Sequence, residues 1–498
     1  MVTQHLGTHY LSRHALLDPA THKNLDQAAL QAGKSWAELL WSAAQAVANE
    51  VMQRWPQGSV LVLCGRGLNG ADGFLCGELL RQQGRTVDIC SLYAETELSP
   101  QTSWAKQQWH GRLVSTAQLA LSHYTVVVDA MVGAGLNRPL DAKLATLLEQ
   151  LMHANLPVCA IDLPSGMDGD SGQYVGPQLR ASCTVTFERY KPAHVLQPGA
   201  SYCGDIVLAS LAVPSQAYRT LPISSWRNDP QLWCDVLPWP TVDSHKFTRG
   251  HAVILGGESL TGASRLAARA AQRAGAGLVS LYVPPSVWAP CAAALESIMV
   301  GKLADIIPDD PRISAYLYGP GAGVNAQTYT RVMQLLCSDK PVVLDADALT
   351  VFQEDPSVLW EAMCPECVIT PHEGEFARLF KDLQGPNKLA RAKAAAQRSG
   401  AVVVLKGSDT VIAAPDGRCI VNVVASPFLA TGGSGDVLAG VITGLLAQGM
   451  PVFEAAAAAV WLHGKIGLNH GPGLIPEDII HALPRVLNEL YVNNDGCK

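Results

Sequence analysis

No apolar stretch of this chain is long enough to cross a bilayer. The apolar run Ala455–Leu462 is short and bracketed by Glu454 and His463, whereas a spanning helix needs about 20 apolar residues; it reads as a buried helix. There is no basic run either. Lys and Arg total 36 against 43 Asp and Glu, a formal charge of −7. Wrapping a phosphate backbone requires clustered cations, so neither nucleic acid nor a membrane is expected as a partner. Small anions stay open, because backbone N–H groups at helix starts bind them whatever the global charge. A disulfide framework is missing as well. The 13 cysteines are scattered, and Met1–Leu17 is polar, with four His or Arg and no apolar core of a secretory signal. Free thiols in the cytoplasm are expected. Cys364-Pro-Glu-Cys367 has no second pair and reads as two half-buried cysteines, not as a zinc or redox site.

What the chain does have is material for two α/β domains. It is 498 residues long and 48% hydrophobic, more than one ordinary domain holds. Leu40, Ala44, Val47 and Val51 repeat at helical spacing, so a long amphipathic helix is expected to open the chain. Val60–Cys64 is wholly apolar and reads as a buried parallel strand. Further strands are expected at Thr86–Leu92, Thr125–Asp129, Pro157–Asp162 and Thr184–Phe187, a βαβ series and hence a doubly wound sheet. Residues 214–240 carry repeated Pro and Trp and read as a linker. The pattern then restarts, with strands at Ala252–Leu255, Leu278–Val283, Ala315–Tyr318, Val342–Leu344, Cys367–Ile369 and Val402–Leu405. Two domains, 1–222 and 227–498, are expected, without a repeat between them.

Ligands of open α/β sheets bind beyond the carboxyl ends of the strands. After Cys64 comes Gly65-Arg-Gly-Leu-Asn-Gly-Ala-Asp-Gly73, with Asp88 further on. This suggests a dinucleotide fingerprint, but Asp72 would repel a pyrophosphate at the helix start. Asp129 and Asp162 end two more strands, followed by Gly133-Ala-Gly-Leu-Asn-Arg-Pro139 and by Leu163-Pro-Ser-Gly-Met-Asp168. Their oxygens suit a hard cation or a polar substrate; helix capping is the plainer role of each. Lys191 lies just past a strand and reads equally as a phosphate anchor, an acid or a solvated lysine.

The second half carries Ala430-Thr-Gly-Gly-Ser-Gly-Asp436 before an apolar helix, Val437–Gln448. The N–H groups of Gly432, Gly433, Ser434 and Gly435 at a helix start form a site for a transferring phosphoryl group. Asp436 is placed to take a proton from an attacking hydroxyl. Lys406, in Leu405-Lys-Gly-Ser-Asp-Thr410, is offered to a nucleotide phosphate, and Glu375 could hold Mg²⁺ through water. Asp345 and Asp347 end a strand, where structural hydrogen bonding is an alternative.

These motifs resemble two families. Residues 1–220 are similar to the NAD(P)H-hydrate epimerases, whose loop Gly-x-Gly-Asn-Asn-Gly-Gly-Asp-Gly is matched except at Leu68 and Ala71, and whose Asp-Ala-x-x-Gly-x-Gly-x-x-Arg-Pro and Asp-x-Pro-Ser-Gly-x-Asp stand at 129–139 and 162–168. The resemblance implies a Rossmann-like domain in which Asn69, Asp129 and Ser165 bind K⁺. It implies a substrate site lined by Leu68, Asn69, Gly70, Ala71, Asp72, Gly133, Ala134, Gly135, Leu136, Asn137, Arg138, Pro139 and Asp162, with Asp162 and Lys191 as acid–base candidates. Residues 227–498 are similar to the ADP-dependent NAD(P)H-hydrate dehydratases of the ribokinase-like fold. That resemblance implies Ala263, Gly323, His372 and Asp436 at the hydrate and Lys406, Gly407, Ser408, Asp409, Thr410 and Gly435 at the nucleotide. It also implies ADP as co-substrate, Mg²⁺, and a homo-oligomer, a tetramer or larger.

Such a pair would repair hydrated NADH and NADPH: an isomerase interconverts the R and S hydrates, and a lyase dehydrates the S form while ADP becomes AMP and phosphate. Hydroxide leaves poorly, and phosphorylation makes it a good leaving group, so a kinase-type site suffices. The rival readings are a small-molecule kinase with a nucleotide-binding front module, a non-catalytic front module like those of RNA-decay scaffolds, and a Rossmann oxidoreductase.

Overall fold

Five consecutive apolar residues at Val60–Cys64 leave a strand no face for water, and the computed structural model buries all five as the first strand (β1) of a sheet. The structure describes residues 13–136, 139–307 and 310–493, and the chain divides into two units between Ser225 and Trp226.

The first unit is built on β1, β2 (Val87–Ser91), β3 (Arg112–Val114), β4 (Val126–Ala130), β5 (Val158–Ile161), β6 (Cys183–Phe187) and β7 (Asp205–Ala209). Their order is β3-β2-β1-β4-β5-β6-β7, all parallel. Succession reverses between β1 and β4, the switch point at which doubly wound sheets bind ligands. The long helix Trp36–Arg54 is fixed at its start by a reciprocal Ser35–Glu38 capping box. It does not open the chain as expected: a helix at Pro19–Gln31, capped by Asp18, precedes it. That helix buries only Thr21, Leu25 and Ala29, too thin a stripe to stand out as a period. Strands β3 and β7 also went unmarked; both are edge strands with half-wet residues.

The second sheet holds β8 (Ser225–Arg227), which begins at the boundary, β9 (His251–Leu255), β10 (Leu278–Val283), β11 (Met299–Lys302), β12 (Ala315–Tyr318), β13 (Val342–Leu344), β14 (Cys367–Ile369), β15 (Val402–Leu405), β16 (Val411–Ala413) and β17 (Cys419–Val421). The sheet runs β11-β10-β9-β12-β13-β14-β15-β16-β17-β8. It is parallel from β11 to β15 and antiparallel across β15–β16–β17. The expected linker is corrected here. Trp226 sits in edge strand β8, and Trp226 and Trp233 are 3% and 0% exposed. Asn228 fastens the segment: its N–H donates to the Val421 carbonyl (2.8 Å), its Nδ2 to Asn422 (3.0 Å) and the Ala457 carbonyl (2.8 Å), and its Oδ1 accepts from the Trp233 indole (3.0 Å). The surrounding prolines restrict the strand to an edge, which is why the segment looked unstructured.

Cys64, Cys76, Cys90, Cys159, Cys183 and Cys419 are buried free thiols, and exposed Cys364 lies 3.7 Å from buried Cys367 with both free. No helix of the described residues is long and apolar enough to cross a membrane.

Two helices, Thr261–Arg273 and Ser434–Ala447, meet almost without side chains between them. A Cβ at Gly440 would lie 2.2 Å from the Ala267 carbonyl oxygen, and one at Gly444 2.5 Å from that of Ala271. A glycine-to-alanine change inside a helix is ordinarily favourable by about 1 kcal/mol. Gly440→Ala is predicted to reverse that sign and destabilise the second unit by about 1–3 kcal/mol through overpacking, read as a lowered denaturant midpoint.

Candidate active sites

In the first unit, two glycines set the loop after β1. A Cβ at Gly65 would lie 1.8 Å from the Met131 carbonyl oxygen, and one at Gly70 2.0 Å from that of Gly65. The chain therefore turns straight from β1 into the helix Leu68–Gln82. Beside it opens a cavity of about 890 Å³ walled by the loops after β1, β2, β4, β5 and β6.

Asp162 follows β5 with φ 68°, a left-handed conformation that Asp tolerates better than most residues. Its N–H donates to the Val185 carbonyl of β6 (2.8 Å). Its carboxylate accepts from Lys191 Nζ (2.5 Å) and Thr186 Oγ1 (3.1 Å) through Oδ1, and from the Ala134 N–H (3.0 Å) through Oδ2. Burial opposes ionisation of Asp162, but the Lys191 ammonium outweighs it and holds the carboxyl below its usual range. Lys191 is 1% exposed, so the solvated alternative is excluded. His194 accepts the Lys191 N–H at Nδ1 (2.9 Å). Its Nε2 must then carry the hydrogen toward the Asp162 carbonyl (2.8 Å), and burial lowers its pKa to about 4.

Asp72, also on the cavity wall, is buried with Oδ1 unpartnered. Burial, then the nearby Asp162 and Asp26, push its pKa well above the carboxylate range. This shift toward the neutral acid weakens the repulsion toward an anionic ligand expected at this helix start. Leu68 begins the helix at the exposed rim, with Gly70 and Ala71 buried behind it. Gly133, Ala134, Gly135, Leu136 and Pro139 line the opposite wall; Asn137 and Arg138 lie outside the described residues.

Behind this wall, Asp129 is fully buried and accepts from Ser165 Oγ (2.6 Å), the Ser165 N–H (2.8 Å) and the Met131 N–H (3.2 Å). Burial raises its pKa to about 6 against these neutral donors. Asn69 has a buried Nδ2 without a hydrogen-bond partner. Asp129, Ser165 and Asn69 each carry an oxygen, the donor type that hard cations take; the Asn69 atom left unpartnered is its amide N–H₂, a hydrogen-bond donor. Two groups that the sequence did not reveal also face the cavity, His22 and Asp26. Burial shifts them to about 4 and about 6. Both belong to the helix that its weak periodicity concealed.

In the second unit, glycines again crowd the switch point between β9 and β12. A Cβ at Gly257 would lie 2.0 Å from the Gly321 carbonyl oxygen, and one at Gly319 1.8 Å from that of Asp345. Gly323 donates its N–H to Asp347 (2.8 Å). Lys406, just past β15, reaches Asp345 (2.8 Å). Burial opposes its charge, yet Asp345, Glu375 and Asp436 raise its pKa. Between Asp345 and Asp347, Ala346 is held at φ 50° and ψ −118°, the kind of backbone strain that surrounding structure must impose.

Helix Ser434–Ala447 starts earlier than the sequence suggested, so Asp436 lies within its first turn. Burial, reinforced by Asp345, raises the pKa of Asp436 to about 6 against the pull of Lys406. The expected four-amide anion hole is smaller than foreseen: the Ser434 N–H turns back to the Thr431 carbonyl (3.3 Å), closing the bend that starts the helix. Gly433 holds φ 94°, the left-handed region glycine permits. His463, unforeseen in the sequence, sets its Nε2 3.0 Å from the Ser434 carbonyl and is pushed by burial to about 4.

His372 caps the helix Glu373–Leu379 by accepting N–H bonds from Gly374 and Glu375, while Glu375 returns a bond to the His372 N–H (2.9 Å). The imidazole is exposed, and Glu375 is occupied by the cap. Ala263 is half-buried in the first turn of its helix. Gly407 and Ser408 are exposed, whereas Thr410 closes the loop on Gly407 (2.8 Å) and Asp409 is turned inward onto Lys388 (2.8 Å). Lys388 was not visible in the sequence as part of this loop, since it comes from a distant helix.

Two family models match the chain: one described as NAD(P)H-hydrate dehydratase over residues 252–485, the other as YjeF-related protein N-terminus over residues 36–193. The bifunctional NAD(P)H-hydrate repair enzyme Nnr of Moorella thermoacetica is 34% identical over 481 residues, covering 89% of this chain and 90% of its own. That of Vibrio cholerae is 34% identical over 480 residues, with 93% and 95% covered. Among solved structures, the ADP/ATP-dependent NAD(P)H-hydrate dehydratase from Bacillus subtilis, co-crystallized with ATP/Mg²⁺, is 29% identical and covers 53% of this chain and 98% of that one, with a TM-score of 0.45.

Removing one member of a buried ion pair strands the other charge at a cost of about 3–5 kcal/mol. Lys191→Met alone is predicted to destabilise the first unit by about that amount, and Lys191→Met with Asp162→Asn by much less; denaturant titration of the three proteins checks this. Because the Asp162 pKa is depressed in the fold, the stabilisation is complete above the ordinary carboxylate range and fades only as the pH falls below it.

Proposed function

The chain belongs to the family of bifunctional NAD(P)H-hydrate repair enzymes, and on that premise we propose that its two units carry out successive steps of one repair. The first unit, residues 1–222, interconverts the R and S hydrates of NADH and NADPH. The second, residues 227–498, dehydrates the S hydrate at the expense of ADP. The observation that carries the second assignment is Asp436 in the first turn of a buried helix, behind a glycine bend and beside Lys406.

In the dehydratase, Asp436 takes the proton of the ring hydroxyl while that oxygen attacks the terminal phosphorus of ADP and the bond to AMP breaks. The N–H groups of Gly432, Gly433 and Gly435 and the Lys406 ammonium meet the charge on the moving phosphoryl group. The ring nitrogen then expels phosphate, and loss of a proton from the neighbouring carbon restores the reduced nicotinamide. Ala263, Gly323 and His372 border the hydrate, and Gly407, Ser408, Asp409 and Thr410 the nucleotide, with Asp409 acting through Lys388. Mg²⁺ supplies charge neutralisation on the phosphates when bound, with Glu375 its water-mediated holder.

In the epimerase, the hydroxyl-bearing carbon is bonded to the ring nitrogen. Taking the hydroxyl proton opens that bond to an aldehyde, the nitrogen takes up a proton, and closure from the other face inverts the centre. Asp162 and Lys191 hold a proton between them at the cavity floor, which suits both transfers. K⁺ held by Asn69, Asp129 and Ser165 would supply positive charge behind the Gly133–Pro139 loop, where Asn137 and Arg138 complete the lining. The enzyme is taken to be cytoplasmic and homo-oligomeric.

Separated epimers test both steps. With ADP and Mg²⁺, Asp436→Asn is expected to abolish return of reduced-nicotinamide absorbance from the S hydrate. Asp162→Ala is expected to leave S turnover intact while the R hydrate recovers only at its unaided rate of isomerisation. Stable phosphorylated product from another alcohol would instead support the kinase reading. For the dehydratase, kcat/KM should fall below about pH 6, as Asp436 takes up a proton and ceases to be a base; a flat profile through that range would remove Asp436 from the role.

A further inference from the structure

The cavity of the first unit extends well beyond the Asp162–Lys191 pair. Arg66, just after β1, and Tyr93, just after β2, line its far end. From β2 to β5 the sheet takes three steps, about 14 Å at about 4.8 Å each, a distance an extended dinucleotide can bridge. The Arg66 guanidinium carbon lies 5.3 Å from the centre of the Tyr93 ring. That ring is fixed, because its hydroxyl donates to Asp141 Oδ2 (2.8 Å).

The acids nearby are already engaged. Asp141 Oδ1 caps its own helix through the Leu144 N–H (2.9 Å), and Glu97 accepts the Ala94 N–H (3.0 Å). Among the described residues Arg66 lies over the Tyr93 ring and feels the charge of Asp141 without an ion-pair contact. A planar cation stacked on an immobilised ring, with its hydrogen-bonding edge unspent, matches a phosphomonoester bidentately.

We propose that Arg66 reads the phosphate on the adenosine ribose and so distinguishes the NADPH hydrate from the NADH hydrate. The inference rests on the epimerase reading of this unit. If the reacting ring lies over Asp162 and Lys191, the adenosine end must lie toward β2. The end of β2 is also where dinucleotide-binding sheets meet that ribose.

Arg66→Ala and Arg66→Lys are compared with the unaltered protein for epimerisation of both R hydrates. In parallel, calorimetry with saturating ADP present, which fills the nucleotide site of the second unit, follows binding of adenosine 2′,5′-bisphosphate and of AMP. Charge-assisted hydrogen bonds of this kind change affinity by about 10- to 100-fold. Arg66→Ala is therefore expected to lower the NADPH-to-NADH hydrate ratio of kcat/KM about tenfold or more, chiefly through KM. The bisphosphate should lose its advantage over AMP by a similar factor, and Arg66→Lys should retain part of both. Equal loss on the two hydrates, no loss on either, or equal binding of the two nucleotides by the unaltered protein overturns the proposal. If neither hydrate is epimerised, the epimerase reading falls, and the calorimetric comparison alone then decides what Arg66 recognises.

Discussion

A carboxylate cut off from water must find a cation or keep its proton, and both units are organised by the different ways they meet that rule. Asp162 has its cation, Lys191, at 2.5 Å and stays ionised. Asp72, with an oxygen unpartnered, is pushed toward the neutral acid. Asp129, among neutral donors, lies between. In the second unit Lys406 bonds Asp345 directly, and burial, reinforced by Asp345, raises the pKa of Asp436 to about 6 against the pull of Lys406. Environments that drive neighbouring carboxyls apart are how a single site obtains both an acid and a base.

These carboxylates lie where they do because parallel sheets bury both faces and leave polar residues only at the strand ends. The glycines secure the remainder. Gly65, Gly70, Gly257 and Gly319 admit no side chain against a neighbouring carbonyl, which draws successive loops together at each switch point.

Much of this was legible in the sequence because it depends on local pattern. β1, β12, β13, β14 and β15 match uninterrupted apolar runs; the acids of 129 and 162 follow such runs directly, and that of 436 stands just before one. Other features depend on tertiary proximity. His22 and Asp26 sit on a helix with one buried residue per turn. Lys388 and His463 join the second site from helices remote in sequence. The Ser434 amide is lost to a bend whose closure no composition rule reveals. The segment after residue 214 misled for the opposite reason: its prolines signal irregular backbone, yet Trp226 and Trp233 are buried.

That segment has a consequence for how such a chain can be divided. β8 covers the outer side of β17, and an uncovered edge strand is a template for pairing with other chains. A proteolytic nick, or a gene split, placed a few residues after Arg227 would strip this cover and leave the nucleotide-dependent half prone to aggregate. Fission ahead of Ser225 would preserve it. The permissible seam between the two activities is thus narrower than the proline-rich stretch that marks it, and the two tryptophans lie on its far side.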